Sequence, residues 1–276
     1  MPEPIRPEGI PLTPLVDIGV NLTAPQFQDD LRRVLARARA AGVQRMLVTG
    51  TDVEHSFAAL ELARGFPGEL FATAGVHPHG AAAVARDWQQ QLGSLVREEA
   101  VLAVGETGLD FNRDYSPRPD QEAVFIAQLE LAAECRLPVF LHERDTDGRF
   151  FELLEPLAGD LDGGVLHCFT GGEQDLDRAL IAGLHIGITG WICDERRGGP
   201  LQALVARIPR ERLLIETDAP WLLPRTIRPR PKSRRNEPCL LPWVLATLAR
   251  CRDEDPAELA AATTANACRL FGLPPP

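Results

Sequence analysis

The chain has 276 residues, 45% hydrophobic and 25% charged, the composition of an ordinary globular protein. Its formal net charge of −10 excludes a general polyanion binder, so any nucleic-acid role has to come from a local basic patch. There is no apolar run near the roughly 20 residues a membrane helix needs, no charged-then-apolar leader and no CxxC pair among the six cysteines, so a cytoplasmic protein with reduced thiols and no membrane partner is expected. In chain order, residues 1–14 come first, with prolines at 2, 4, 7, 11 and 14, and read as an extended arm. Short apolar runs then predict strands at 15–20, 43–49, 71–76, 101–106, 138–142, 164–168, 184–189 and 213–218. Their near-continuous apolarity is that of strands buried on both faces of a parallel sheet. Between them, 27–41 carries a helical stripe of Leu31, Val34, Leu35 and Ala38, with Gly42 as its stop. A second helix is predicted over 117–136, with Ser116 as N-cap, Pro117 in the first helical position and Phe125, Leu129 and Ala132 on its apolar face. Eight strands alternating with helices fit an α/β fold of the (β/α)8 TIM barrel type, one domain over 15–276, better than a Rossmann sheet. No GxGxxG follows any strand.

In such a barrel the chemistry sits at the C-terminal ends of the strands. Those ends carry Asp17, then Thr49 and Thr51, His77 and His79, Glu106, His142, His167 and, closing the eighth strand, Asp218. Mixed imidazole and carboxylate donors suit a divalent ion: zinc, manganese, or magnesium where carboxylate and water dominate. The spacing leaves room for one to three ions. A cation also answers the cost of Asp17, a carboxylate set in the apolar run LVDIGV. Many barrel hydrolases bridge two metals with a carboxylated lysine on the fourth or fifth strand. The single lysine here, Lys232, lies after the eighth strand, so that chemistry is excluded and Glu106 is the bridging group in its place. Positive charge concentrates in RTIRPRPKSRR, residues 225–235, which holds six basic residues and no acid.

Together the motifs DIGVNLT (17–23), TAGVHPH (73–79), GETGLDFNRD (105–114), PVFLHERD (138–145), VLHCFTG (165–171), GITGWICDERRG (187–198), LLIETDAPWLLPR (213–225) and SRRNEP (233–238) resemble the TatD family of metal-dependent deoxyribonucleases, in its bacterial TatD branch. The resemblance runs from residue 15 to 272. It implies a cytoplasmic (β/α)8 hydrolase, magnesium-dependent DNA cleavage with 3′–5′ exonuclease action, and a place in DNA repair or turnover. It also implies a metal site of Glu106, His142, His167 and Asp218, with His77 beside it. Two departures stand out. Asp17-x-Gly19-x-Asn21 occupies the place where much of the family has His-x-His, and Thr107 replaces the cysteine of the common GECGLD motif.

The expected reaction is metal-assisted hydrolysis of phosphodiester bonds in DNA, or RNA, with single strands preferred. Mg²⁺ is the expected ion, with Mn²⁺ or Zn²⁺ as alternatives. Glu106 and Asp218 are the catalytic carboxylates, Asp218 taking the proton of the attacking water. Asp17 and His77 support the centre or hold a second ion. Arg234 and Arg235 are expected to hold the strand's backbone, and Phe111 and Tyr115 to stack on a terminal base. His79 and Trp221 have no assigned role, and no obligate protein partner is expected. The competing expectation keeps the metal but cleaves an ester or amide, such as a misacylated tRNA.

Overall fold

The computed structural model describes residues 6–10 and 12–274. The elements in chain order are β1 (Leu15–Val20), α1 (Leu31–Ala40), β2 (Val43–Val48), α2 (Val53–Gly65), β3 (Leu70–Ala74), α3 (Trp88–Leu95), β4 (Val101–Asp110) and α4 (Arg118–Cys135). There follow β5 (Val139–Arg144), α5 (Arg149–Leu154), β6 (Gly164–Leu166), α6 (Glu173–Ile181), β7 (His185–Ile188), α7 (Gly199–Leu204), β8 (Leu213–Ile215), α8 (Leu241–Arg252) and α9 (Pro256–Phe271). The eight strands form one sheet in the order β1 to β8, the element order of a (β/α)8 barrel. None of the described helices is long and apolar enough to cross a membrane. Of the proline-rich arm, residues 1–5 and 11 lie outside the described residues.

The chain divides into two compact units. One is Val48–Ile186, with β3, β4, β5 and β6. Its strands pair in parallel, and their inner residues (Ala72, Ala74, Ala103, Val104, Val139, Phe140, Leu141, Val165 and Leu166) are fully or almost fully buried. The other comprises Met1–Leu47 with Gly187–Pro276 and contains β1 and β8 side by side. Asn21 N donates to Ala219 O at 2.8 Å and Asp218 N to Gly19 O at 2.9 Å.

Four expectations need correction. The stretch 27–41 is not one helix: Pro25–Phe27 forms a 3-10 turn that buries Phe27, and the helix begins only at Leu31. Ser116 does not cap α4; Pro117 occupies that position. The Ser116 hydroxyl instead donates to His79 O at 2.9 Å and accepts from Ala82 N at 3.0 Å, tying the loop after β4 to the loop after β3. β4 runs on to Asp110, because Thr107 to Asp110 pair with Leu141 to Arg144 of β5. β8 ends at Ile215, because the Thr217 N–H is taken by the Asp17 carboxylate at 2.9 Å and not by a neighbouring strand.

The extension of β4 contains the feature that matters most. The register against β5 shifts between Val104 and Thr107, a bulge that contains Gly105 and Glu106. Bulges beside active sites re-aim a side chain. Gly108 has φ +144, and a Cβ built there would collide with the His142 carbonyl, so only glycine lets β4 run this close to β5. Replacing Gly108 by alanine should cost more than about 2 kcal/mol in urea or thermal unfolding. Gly159→Ala, where a Cβ meets nothing within 4 Å, should change little. Equal stability of the two variants would show that the close approach is not needed.

Candidate metal centre

Within Val48–Ile186, four successive strands each bring one polar side chain from the C-terminal end: His77 after β3, Glu106 in β4, His142 in β5 and His167 after β6. Three imidazole nitrogens surround a single carboxylate oxygen, Glu106 Oε1. His167 Nε2 lies 2.8 Å from it, His142 Nδ1 2.9 Å and His77 Nε2 3.3 Å. The His77 and His142 rings meet edge-on at 4.6 Å between centroids. Burial alone would push the Glu106 carboxyl up, but the surrounding histidines hold it well below its usual value. Burial drives His77 down to about 4 against the pull of Glu106, so its imidazole is neutral at physiological pH with a lone pair to offer.

A second carboxylate stands behind this group. Asp110 Oδ2 lies 2.6 Å from His79 Nε2 and 3.6 Å from His142 Nε2. Its carboxyl resists the upward push of burial and is held far below the ordinary range by His142, His79 and the Arg113 N–H. His142 is thus set between two anions, and its own titration moves up despite burial. Two glutamines of α4 fix this shell. Gln128 Oε1 accepts from Val76 N at 2.7 Å while its amide donates to Thr107 Oγ1 at 2.6 Å. Gln121 Oε1 accepts from Asp110 N at 2.9 Å.

These residues fit a divalent cation. His77, Glu106 and His142 each offer a donor atom, and those atoms lie within 4.8 Å of one another. One carboxylate oxygen has two lone pairs and cannot accept from all three imidazoles. The His142 Nε2 atom is buried without a hydrogen-bond partner. A cation drawing on the oxygen and the nitrogen lone pairs relieves both conflicts. This set includes His77, expected from the sequence to support the centre or hold a second ion.

The chain matches the TatD-related DNase family over residues 16–272. It belongs to that family. It is 55% identical over 257 residues to the 3′-5′ ssDNA/RNA exonuclease TatD of Cronobacter sakazakii, a match that covers 93% of this chain and 97% of that relative. It is also 55% identical over 259 residues to the protein of the same name from Edwardsiella piscicida, covering 94% of this chain and all of that one. Among solved structures it is similar to YJJV, a TatD homologue from Escherichia coli K12, with 31% identity and a TM-score of 0.86 over 94% of this chain and 98% of that one. A TatD-family hydrolase from Entamoeba histolytica shares the fold, at 24% identity and a TM-score of 0.83 over 94% of this chain and 98% of that one. The protein is therefore a hydrolytic nuclease of the TatD family with a (β/α)8 fold.

The remaining site candidates of this TatD-family chain fall in several settings. Asp218 has φ +51, and its Oδ1 accepts from Asn21 Nδ2 at 3.0 Å. Asn21 thus fixes a carboxylate from the end of strand one. Asp17, fully buried, directs both its oxygens at neutral donors: Oδ1 accepts from Thr217 N at 2.9 Å and Oδ2 from the Thr217 hydroxyl at 2.6 Å. It shapes the turn that carries Asp218. Arg235, expected to hold the strand's backbone, has its donors committed to Asp30 Oδ1 and Oδ2 at 2.9 Å each, Glu237 Oε1 at 2.6 Å and Gln26 O at 2.6 Å. Arg234 is exposed. Phe111 lies under the Arg118 guanidinium, 4.2 Å from the ring centroid. Tyr115 is 68% exposed, and its ring sits 4.7 Å from that of His79.

Asp110 and His79 have no role assigned from sequence. Both carry a signal: Asp110 is four residues after Glu106 on one strand, hence on the same face, and His79 follows His77 by two.

Asp17 yields a test by titration. Burial, with a smaller push from Glu216, raises its carboxyl to about 8 although the Thr217 and Gly19 hydrogen bonds oppose this. The folded state then binds more protons than the unfolded one above pH about 4. Stability should therefore fall as pH rises from about 4 to about 8, by up to about 1.4 kcal/mol per pH unit. Asp17→Asn should flatten this slope in urea unfolding between pH 5 and 8. A variant as pH-dependent as the wild type would show that Asp17 is charged in the fold.

Proposed function

We propose that this TatD-family nuclease removes nucleotides from the 3′ ends of single-stranded DNA and RNA, using a divalent cation held by His77, Glu106 and His142. The observation that carries this reading is the convergence of three imidazoles on one buried, anionic carboxylate oxygen. The substrate class and polarity are supported by the names of relatives 55% identical to this chain. The ion is Mg²⁺, on the family resemblance, and the imidazole donors make Mn²⁺ or Zn²⁺ workable substitutes.

A divalent cation, when bound, polarises a phosphoryl oxygen and lowers the pKa of water. The side chains do the rest. Glu106 supplies the negative charge that draws the cation in, and neutral His77 supplies a lone pair. Asp110 holds His79 by a hydrogen bond and adds negative charge 3.6 Å from His142 Nε2. His167, in contact with Glu106 Oε1, holds that carboxylate in place and joins the ligand set as the family resemblance implies. Asp218, its Oδ1 fixed by Asn21, takes the proton of the attacking water. Tyr115, exposed beside His79, offers a face on which the terminal base stacks.

The test is degradation of an end-labelled single strand against hydrolysis of an aminoacyl ester, each with Mg²⁺, Mn²⁺ or EDTA. Stepwise shortening from the 3′ end in Mg²⁺, abolished by EDTA, is expected. Cleavage that persists in EDTA would sink the metal, and hydrolysis of the ester alone would sink the nuclease. Glu106→Gln and Asp218→Asn should reduce turnover to background with near-ultraviolet circular dichroism unchanged. Asp110→Asn should raise the metal concentration needed for half-maximal activity by about 10–100-fold. Unaltered metal dependence would remove Asp110 from the site.

A further inference from the structure

The segments after β7 and β8 line a pocket with a volume of about 480 Å³. It lies wholly within the unit that contains β1 and β8. Trp191, Asp194, Arg196, Arg197 and Arg225 line it. Gly190 sets the pocket's closeness, since a Cβ there would collide with the Leu222 carbonyl. Asp194, 4% exposed, organises the lining. Its Oδ1 accepts from the backbone N–H of Arg196 at 2.9 Å and from Arg225 Nη1 at 3.3 Å. Its Oδ2 accepts from Arg197 Nε at 3.2 Å and Nη2 at 3.1 Å. Arg197 also lies over the Trp191 ring, 4.2 Å from its centroid. The Arg196 guanidinium is exposed and makes no hydrogen bond or ion pair among the described residues.

One carboxylate cannot balance three guanidiniums, so the pocket is positive in a chain whose net charge is −10. Arg197 and Arg225 are held in place before any ligand arrives, which lowers the entropy cost of binding. Each guanidinium carries five donors in a planar fork suited to phosphate, more than Asp194 occupies. The loops after strands seven and eight are also where (β/α)8 enzymes frequently hold phosphate. The lining holds no histidine and its one carboxylate is engaged by arginines, so the pocket can bind a phosphate but has nothing with which to cleave it. Trp191 adds an aromatic surface for a base.

We propose that Arg196, Arg197 and Arg225, with Trp191, form a binding subsite for phosphodiester groups of the single strand that are not being cleaved. This rests on the nuclease reading above. The subsite sets affinity for long strands and leaves the chemical step alone.

The experiment measures binding of 5′-fluorescein-labelled dT12 by anisotropy in EDTA, over a range of salt, with wild type, Arg196→Glu and Arg196→Lys. Arg196 holds no other side chain in place, so its variants should fold. The Glu variant should bind about tenfold more weakly, with the slope of log K against log salt smaller by about 0.7 for each phosphate no longer neutralised. The Lys variant should keep most of the affinity. Turnover of bis-p-nitrophenyl phosphate in Mg²⁺, a substrate with no flanking nucleotides, should stay within twofold of wild type. Unchanged affinity and salt slope in Arg196→Glu overturn the subsite. Loss of inorganic phosphate binding with dT12 binding intact overturns its assignment to a strand. If wild type binds dT12 through Arg196 yet leaves DNA uncut in Mg²⁺, the nuclease reading fails and the subsite stands.

Discussion

The buried carboxylate of Glu106 is the constraint around which the unit Val48–Ile186 is built. A charge in that position needs partners, and they come from three other strands: His77, His142 and His167. Reaching them requires β4 to break register at Gly105–Glu106 and to run against β5 at Gly108, where no side chain fits. The glutamines of α4 are drawn into the same arrangement. Gln128 and Gln121 are buried on a helix face that otherwise carries Val124, Phe125, Leu129 and Ala132, and the polar groups they satisfy belong to Val76, Thr107 and Asp110. Polar side chains so placed are expensive unless fully bonded. Here their bonds fix the backbone on either side of the ligands.

Asp17 and Glu106 show how one residue class reaches opposite ends through its neighbours. Both are carboxylates buried in a strand. Asp17 meets a hydroxyl and backbone N–H groups, which are neutral, and burial prevails: its carboxyl titrates near 8 and carries a proton at neutral pH. Glu106 meets three histidines, and their hydrogen bonds and electrostatic pull outweigh burial, so its carboxyl is held well below its usual value. The apparent cost of Asp17 in LVDIGV is therefore met by neutralisation and by Thr217. Its place at a strand end made it look equivalent to Glu106, but the partners of the two differ.

That contrast marks what could be read from the sequence. Strand positions were legible because burial on both faces leaves continuous apolar runs, and the ligand candidates because polar residues ending such runs are rare. Asp110 was within reach, since strand alternation puts it on the face of Glu106, but the expected end of β4 at residue 106 cut it off. The extra length comes from pairing with β5, a partner 34 or more residues away, which local pattern does not report. Ser116 has the local propensity of a cap, and its hydroxyl goes instead to His79 and Ala82 in another loop.

The arginines carry the same point from composition to function. The stretch 225–235 stands out by charge alone, yet its members have different fates. Arg235 reaches across 205 positions in sequence to Asp30, and its remaining donors go to Glu237 and Gln26, so it closes a loop onto α1. Arg228 pairs with Glu195 and with carbonyls of its own loop. Arg225 instead shares Asp194 with Arg197, beside an Arg196 whose guanidinium meets no partner among the described residues. Arg235, bonded to two carboxylates and a backbone carbonyl, contributes to the fold, and an arginine held by a shared carboxylate keeps donors for a ligand. In an acidic nuclease the number of arginines therefore says little about where a phosphate rests. What decides it is how many acids each group of arginines faces, and by that measure the pocket after β7 is more open to a phosphate than Arg235.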